Sequence, residues 1–198
     1  MNIFHYPTSK MNDQKGFTLV ETLVAILILV VSVTALMTVA KNNFSIVRYA
    51  RNQMIATTLM QESLEYIRST RDTLVQQATN GDSWAQWNTL YQSCFTKDGC
   101  FIDPYASQEQ RVTACPDGGC PNITYCPNAV FYGYSRTYKN INDPDCYITP
   151  FARTVTMQTI TPAGGGADQV VVTSHVDWLN GAQPVTQSQS IVIANWTP

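Results

Sequence analysis

Charge is scarce in this chain. Lys, Arg, Asp and Glu make up 13% of its 198 residues, about half the usual share. Ser, Thr, Asn and Gln supply 62 residues in their place. The net charge is −2 and the pI is near 5.6. That balance argues against a strongly basic face, so no direct nucleic-acid binding is expected. Histidine is reduced to His5 and His175. No G-x-S-x-G, H-E-x-x-H, Walker loop or dinucleotide fingerprint occurs, so hydrolase, zinc-protease and nucleotide-binding readings lack their motifs. The chain is read as a non-enzyme with no cofactor and no metal.

Two further gaps divide the sequence. Between Gly16 and Gly81 there is neither Gly nor Pro, and no Cys precedes Cys94. The first half is therefore helix-compatible throughout. The second half is turn-rich and holds all six Cys, which points to an oxidising compartment. Ten Tyr, seven Phe and four Trp argue against disorder.

What the first half does contain is a long apolar run. Phe17 to Ala40 spans 24 residues with Glu21 as its only charge. At about 1.5 Å per residue it can cross a hydrocarbon core of about 30 Å. A cleaved secretory signal would have a shorter apolar region and a small-residue cut site after it. Orientation stays open on charge alone: Lys10 and Lys15 precede the run, but Lys41, Arg48 and Arg51 follow it. Glu21 has two readings. An acid within a membrane span is a functional hypothesis by default, and an acid at headgroup depth is merely tolerated.

The residues around Glu21 carry more. The stretch Lys15-Gly16-Phe17-Thr18-Leu19-Val20-Glu21 resembles the processing site of type IV prepilins and type II secretion pseudopilins, and Thr22-Leu23-Val24-Ala25-Ile26-Leu27 continues the likeness. The resemblance implies that prepilin peptidase cuts after Gly16 on the cytoplasmic side and methylates the new N-terminal Phe17. It makes Glu21 the family's acid at the fifth mature position. On a helix Glu21 lies about one turn from Phe17. In a low-dielectric layer the amine of one subunit and the carboxylate of another attract strongly, and neither is cheap to leave unpaired. Glu21 then becomes a register device for assembly. The family often has a helix-kinking Pro in this segment, and this chain has none.

Beyond Lys41 the pattern stays helical to about Gln77. Phe44, Val47, Met54, Ile55, Leu59, Ile67 and Leu74 suit a packing stripe, with Arg48, Arg51, Gln61, Glu62, Glu65, Arg68 and Arg71 at other positions. Glu65 with Arg68, and Arg68 with Asp72, are spaced to pair. Asn80-Gly81-Asp82 reads as the stop. One helix from Phe17 to about Thr79 would be roughly 95 Å long. The expected division is a leader at 1–16, a transmembrane half-helix at 17–40, an amphipathic half at 41–80 and a globular head at 81–198.

In the head, Ser83 to Tyr91 suits a short helix bearing Trp84 and Trp87, and 92–128 reads as loops. Strands are expected at Val130–Tyr138, Ala152–Ile160, Gln169–Trp178 and Val185–Trp196. Thr161-Pro162-Ala163-Gly164-Gly165-Gly166 and Leu179-Asn180-Gly181-Ala182 are the turns. The fold class is α+β, a long helix packed on an antiparallel sheet of three or four strands. Cys94, Cys100, Cys115, Cys120, Cys126 and Cys146 are disulfide candidates, since no C-x-x-C pair occurs. Six Cys allow 15 pairings, and the sequence does not choose. Asp143-Pro144-Asp145 is either a Ca²⁺ contributor or a solvated turn. Tyr132, Tyr134 and Tyr138 either stack on a ligand or pack the sheet, and His175 reads as a sheet-face residue.

The functional expectation is a minor pilin or pseudopilin. Its partners would be prepilin peptidase, other pilin or pseudopilin subunits, an inner-membrane assembly platform and membrane lipid. It would be a single-pass inner-membrane protein with its head outside, later incorporated into a filament. A membrane-anchored adhesin or binding module that does not polymerise is the alternative.

Overall fold

The computed structural model describes residues 16–77, 83–127, 131–134, 146–161 and 168–195. Residues 1–15 of the expected leader, the Asn80-Gly81-Asp82 stop, Tyr138, Asp143-Pro144-Asp145, the Gly164-Gly165-Gly166 turn and Trp196 lie outside them. Two compact units divide at Arg48 and Tyr49.

The first unit is helical. Helix α1 starts at Leu19 and runs to Gln77, so its first 30 residues belong here. The gap in Gly and Pro already licensed this length, because neither breaker interrupts the run. Its large apolar side chains, from Leu19 through Val39, are exposed within this single chain. An 18-residue window of α1 has a mean hydropathy of 2.8, and the helix is long and apolar enough to cross a membrane. Its hydroxyls are satisfied internally. Ser32 donates to the Ile28 carbonyl at 2.7 Å, and Thr38 to the Thr34 carbonyl at 3.0 Å. That back-bonding lets polar residues sit in an apolar segment.

The second unit is the head with the rest of α1. Helix α2, Ser83–Leu90, forms as expected. The strands are β1 Cys100–Ile102, β2 Val112–Ala114, β3 Asn122–Cys126, β4 Phe131–Gly133, β5 Tyr147–Ile160, β6 Gln169–Asn180 and β7 Gln183–Ala194. Among the described residues they make one antiparallel sheet of seven strands, where three or four were expected. The four expected strands correspond to β4–β7. The other three, of three to five residues, lie in the stretch read as loops. Strands that short carry too few alternations to show a period.

Strand β5 organises the sheet. It pairs with β6 along one edge, and successively with β1 and β3 along the other. Hairpin β6–β7 closes through Gly181 at φ 67°, the positive φ that a two-residue turn of this kind requires. Gly99 is tighter still: at φ 70°, a Cβ there would lie 2.6 Å from the Val155 carbonyl oxygen.

Alternation sets the core. Phe151, Arg153, Val155 and Met157 of β5, and Val170, Val172, Ser174, Val176 and Trp178 of β6, are buried on one face. Ala56, Leu59, Met60, Ser63, Leu64, Ile67 and Arg71 of α1 are the buried helical positions. The expectations for α1 fail at four positions. Phe44, Val47 and Met54 are exposed, and Arg71 is buried. The Arg71 guanidinium is held by the Asp72 carboxylate and the Ala194 carbonyl, each at 3.0 Å. Asp72 therefore pairs with its neighbour Arg71 as well as being spaced for Arg68, while Glu65 and Arg68 pair at 3.6 Å. Ser63 of α1 donates to Ser174 of β6 at 2.9 Å, with both side chains fully buried. Two small hydroxyls thus let helix and sheet approach closely.

Candidate functional site: the start of helix α1

The sequence candidates at the N-terminus fall on the entry into α1. Gly16, Phe17 and Thr18 precede the helix, and Leu19 is its first residue. Gly16 is exposed, and nothing lies within 4 Å of the position a Cβ would take. The backbone on either side of the Gly16–Phe17 bond is therefore uncrowded. Phe17 is 79% exposed.

Glu21 sits in the first turn of α1. Its backbone N–H donates to the Thr18 hydroxyl oxygen at 3.3 Å, and the Thr18 carbonyl accepts the Thr22 N–H at 3.2 Å. Thr18 is thus the N-cap, and Thr18-Leu19-Val20-Glu21 has the spacing of a capping box. Sequence reasoning missed this role, although the Thr-x-x-Glu spacing ahead of an apolar run was legible. The placement has an electrostatic consequence. A carboxylate in the first turn meets the positive end of the helix dipole. An amine on Phe17 would add a second positive charge there, and among the described residues Glu21 is the acidic group in that first turn.

The comparisons bear on this same stretch. Residues 11–37 match the family model described as the prokaryotic N-terminal methylation motif. The matched stretch holds Gly16, Phe17 and Glu21 and supports a type IV pilin-like or pseudopilin N-terminus. No curated protein and no solved structure matches the chain. The pilin motif belongs to a family of structural subunits and implies processing by prepilin peptidase and association with other pilin subunits. With the apolar start of α1, it fits a membrane-anchored pilin-like protein.

In the head the six Cys form three disulfides: Cys94–Cys100, Cys115–Cys120 and Cys126–Cys146. Each closes a loop between neighbours in sequence, so together they fix the stretch that lacks long strands. Tyr134 is buried against Phe101, with ring centroids 4.7 Å apart. Tyr132 stacks on Tyr125 at 4.7 Å, and Tyr125 meets Tyr147 at 5.7 Å. The tyrosines therefore pack across strands β3, β4 and β5. His175 lies on the outer sheet face, between Thr154 and Ser188.

A buried charge cluster went unread in the sequence. The Arg153 guanidinium donates to the Leu59 and Ile102 carbonyls, both at 2.8 Å, and to the Glu62 carboxylate at 3.0 Å. Burial pushes the neighbouring Tyr134 phenol above its ordinary range, against the opposing pull of Arg153. Burial likewise pushes up the Tyr91 phenol, at the foot of α2. This cluster ties α1 to β1 and β5. It is a clamp between helix and sheet.

Proposed function

We propose that this chain is a minor pilin or pseudopilin, processed after Gly16 and incorporated into a type IV pilus or a type II secretion-like filament. In this reading residues 1–16 are the leader, 17–40 the membrane-spanning half-helix, 41–80 the amphipathic half and 81–198 the head. The observation that carries it is the coincidence of Gly16, Phe17 and Glu21 with the matched methylation motif and the start of a long apolar helix. Prepilin peptidase removes the leader and methylates Phe17. The subunit waits in the inner membrane, with its head outside, until the assembly platform extracts it.

The chemistry follows from the cap. The methylated Phe17 amine lies one residue before Thr18, beside the positive end of its own helix. Glu21 offers a carboxylate to that amine or to the amine of a neighbouring subunit. In an apolar layer such a pair sets the register of one helix on the next. Incorporation and membrane retention use the same residues, which suits a subunit that leaves the bilayer for a filament.

The N-terminal mass of the membrane-extracted protein, with and without the host's prepilin peptidase, tests the proposal. The expected result is N-methyl-Phe17 that depends on the peptidase. A chain that still begins at Met1, or one cut after the apolar run, overturns it and leaves a membrane-anchored binding module or an exported domain.

A further inference from the structure

Strand β7 ends the sheet on its side: among the described residues it pairs with β6 alone. Its register shows which backbone groups the sheet already uses. The Asn195 amide donates to the Asp168 carbonyl at 2.8 Å, one step beyond the Gln169↔Ala194 pair. Hydrogen-bonded and non-hydrogen-bonded pairs alternate along an antiparallel ladder. Val185, Gln187, Gln189, Ile191 and Ile193 therefore turn their N–H and C=O groups toward β6. Pro184, Thr186, Ser188, Ser190, Val192 and Ala194 turn theirs away from the sheet.

Two independent features agree with this assignment. Pro184, which has no N–H to offer, sits at an outward position, where edge strands tolerate proline. The Arg71 guanidinium donates to the outward Ala194 carbonyl at 3.0 Å. Both ends of the edge are thus closed, and the window Thr186–Val192 between them is not. Edges are commonly blunted by charge, proline or a bulge. Strand β7 carries no charge along its 12 residues, and no proline falls in the window. Beside it runs a groove lined by Gln61, Leu64, Glu65 and Arg68 of α1 and by Gln189 and Ile191 of β7. Inward side chains of an added strand would lie in that groove.

The direction of β7 argues against a second copy as the occupant. Gln187 donates to Thr57 at 3.1 Å, and Ala194 accepts from Arg71, so β7 and this part of α1 run the same way. An antiparallel copy would reverse α1, and Tyr49, where each head continues into its first unit, would fall at opposite ends of the pair. One membrane does not accept both. Parallel pairing about a two-fold axis sets identical residues level, whereas the slanted bonds of a parallel ladder need them staggered.

We propose that the Thr186–Val192 edge accepts an extended segment of a different polypeptide as an eighth strand. The segment is about seven residues long, to match the window. It lacks proline at the bonding positions and is apolar where it meets Leu64 and Ile191. It is polar or β-branched beside Ser188 and Ser190. This inference rests on the folded head and, for its occupant, on the membrane-anchored reading of α1, and stands apart from whether the chain polymerises.

The test places photo-crosslinking benzoylphenylalanine at Ser188 of the full chain in its own membrane, with adducts identified by peptide mass spectrometry. The expected adduct is a segment of another polypeptide with the pattern above. Its yield should fall about tenfold or more in Ser190→Pro and persist in Ser190→Ala. Proline at 190 deletes an outward N–H and the Ser190 hydroxyl contact with Thr173 at 2.9 Å, which Ser190→Ala also removes, so the backbone ladder of β6 and β7 stays whole, and a urea midpoint equal to that of Ser190→Ala checks that. Should that variant unfold, Ser190→Lys gives the same readout by charging the edge. An adduct to another copy of this chain, an adduct insensitive to both substitutions, or no adduct overturns the proposal.

Discussion

Arg153 on β5 donates to the carboxylate of Glu62 on α1 at 3.0 Å, although its own side chain is only 3% exposed. The same guanidinium also caps the Leu59 and Ile102 carbonyls. One side chain therefore joins helix, central strand and β1. Removing it leaves two buried acceptors and one half-buried acid without their donor. Arg153→Met should cost about 3 kcal/mol of unfolding free energy, read from urea titration of the full chain in detergent. Glu62→Gln should cost less, because Arg153 keeps both carbonyls. Equal losses from the two variants would mean that the ion pair, and not the carbonyl capping, dominates the clamp.

The buried phenols make stability sensitive to alkali. An unfolded tyrosine loses its proton near pH 10. Burial raises the Tyr134 and Tyr91 phenols above that value in the folded head. The folded state then holds more protons than the unfolded one above about pH 10, and stability falls as pH rises. Below that pH the contribution is complete. Tyr134→Phe should flatten the slope of unfolding free energy against pH between about 10 and 11, by up to about 1.4 kcal/mol per pH unit. Unfolding free energies measured at pH 9, 10 and 11 without added thiol check this. An unaltered slope would show that Tyr134 ionises equally in both states.

How much of this was legible in the sequence depends on the length scale of the signal. The start of α1 was readable because Gly16, Phe17 and Glu21 adjoin an apolar run, and the absence of Gly and Pro carried α1 to Gln77. Strands β6 and β7 were readable because Val170, Val172, Val176 and Trp178, then Ile191 and Ile193, alternate over many residues. Strands β1–β3 were not, because β1 and β3 are fixed by disulfides and by pairing with distant β5, and β2 by pairing with β1. The burial of Arg71 and Arg153 was equally hidden. A charged residue reads as solvent-facing until the carbonyls of Ala194, Leu59 and Ile102 are known to lie beside it.

The disulfides should differ in worth by the loop each closes. Cys126–Cys146 spans 20 residues, whereas Cys115–Cys120 spans 5. Constraint of the unfolded chain grows with the logarithm of that length. Replacing Cys126 and Cys146 together by Ser should cost about 3 kcal/mol, and replacing Cys115 and Cys120 together about 2 kcal/mol. Urea midpoints of the two double variants decide it, and the reverse order would place the main constraint in the short loop.

Glu21 holds two roles that one substitution can separate. As the third residue of α1, its N–H bonds to Thr18, and its side chain completes the spacing of a capping box. As a carboxylate, it is the group available to pair with a methylated Phe17 amine. Gln keeps the shape and hydrogen-bonding capacity of the cap but removes the charge, whereas Ala removes both. If charge governs assembly, Glu21→Gln should lose filament incorporation as fully as Glu21→Ala, about tenfold or more for a loss of over about 1.4 kcal/mol. Thr18→Ala, which costs the cap about 1 kcal/mol but leaves the carboxylate, should lose less. All three variants should still yield N-methyl-Phe17, because the Gly16–Phe17 bond is untouched. Rescue of incorporation by Gln would assign Glu21 to capping its own helix and leave the inter-subunit pair without its acid.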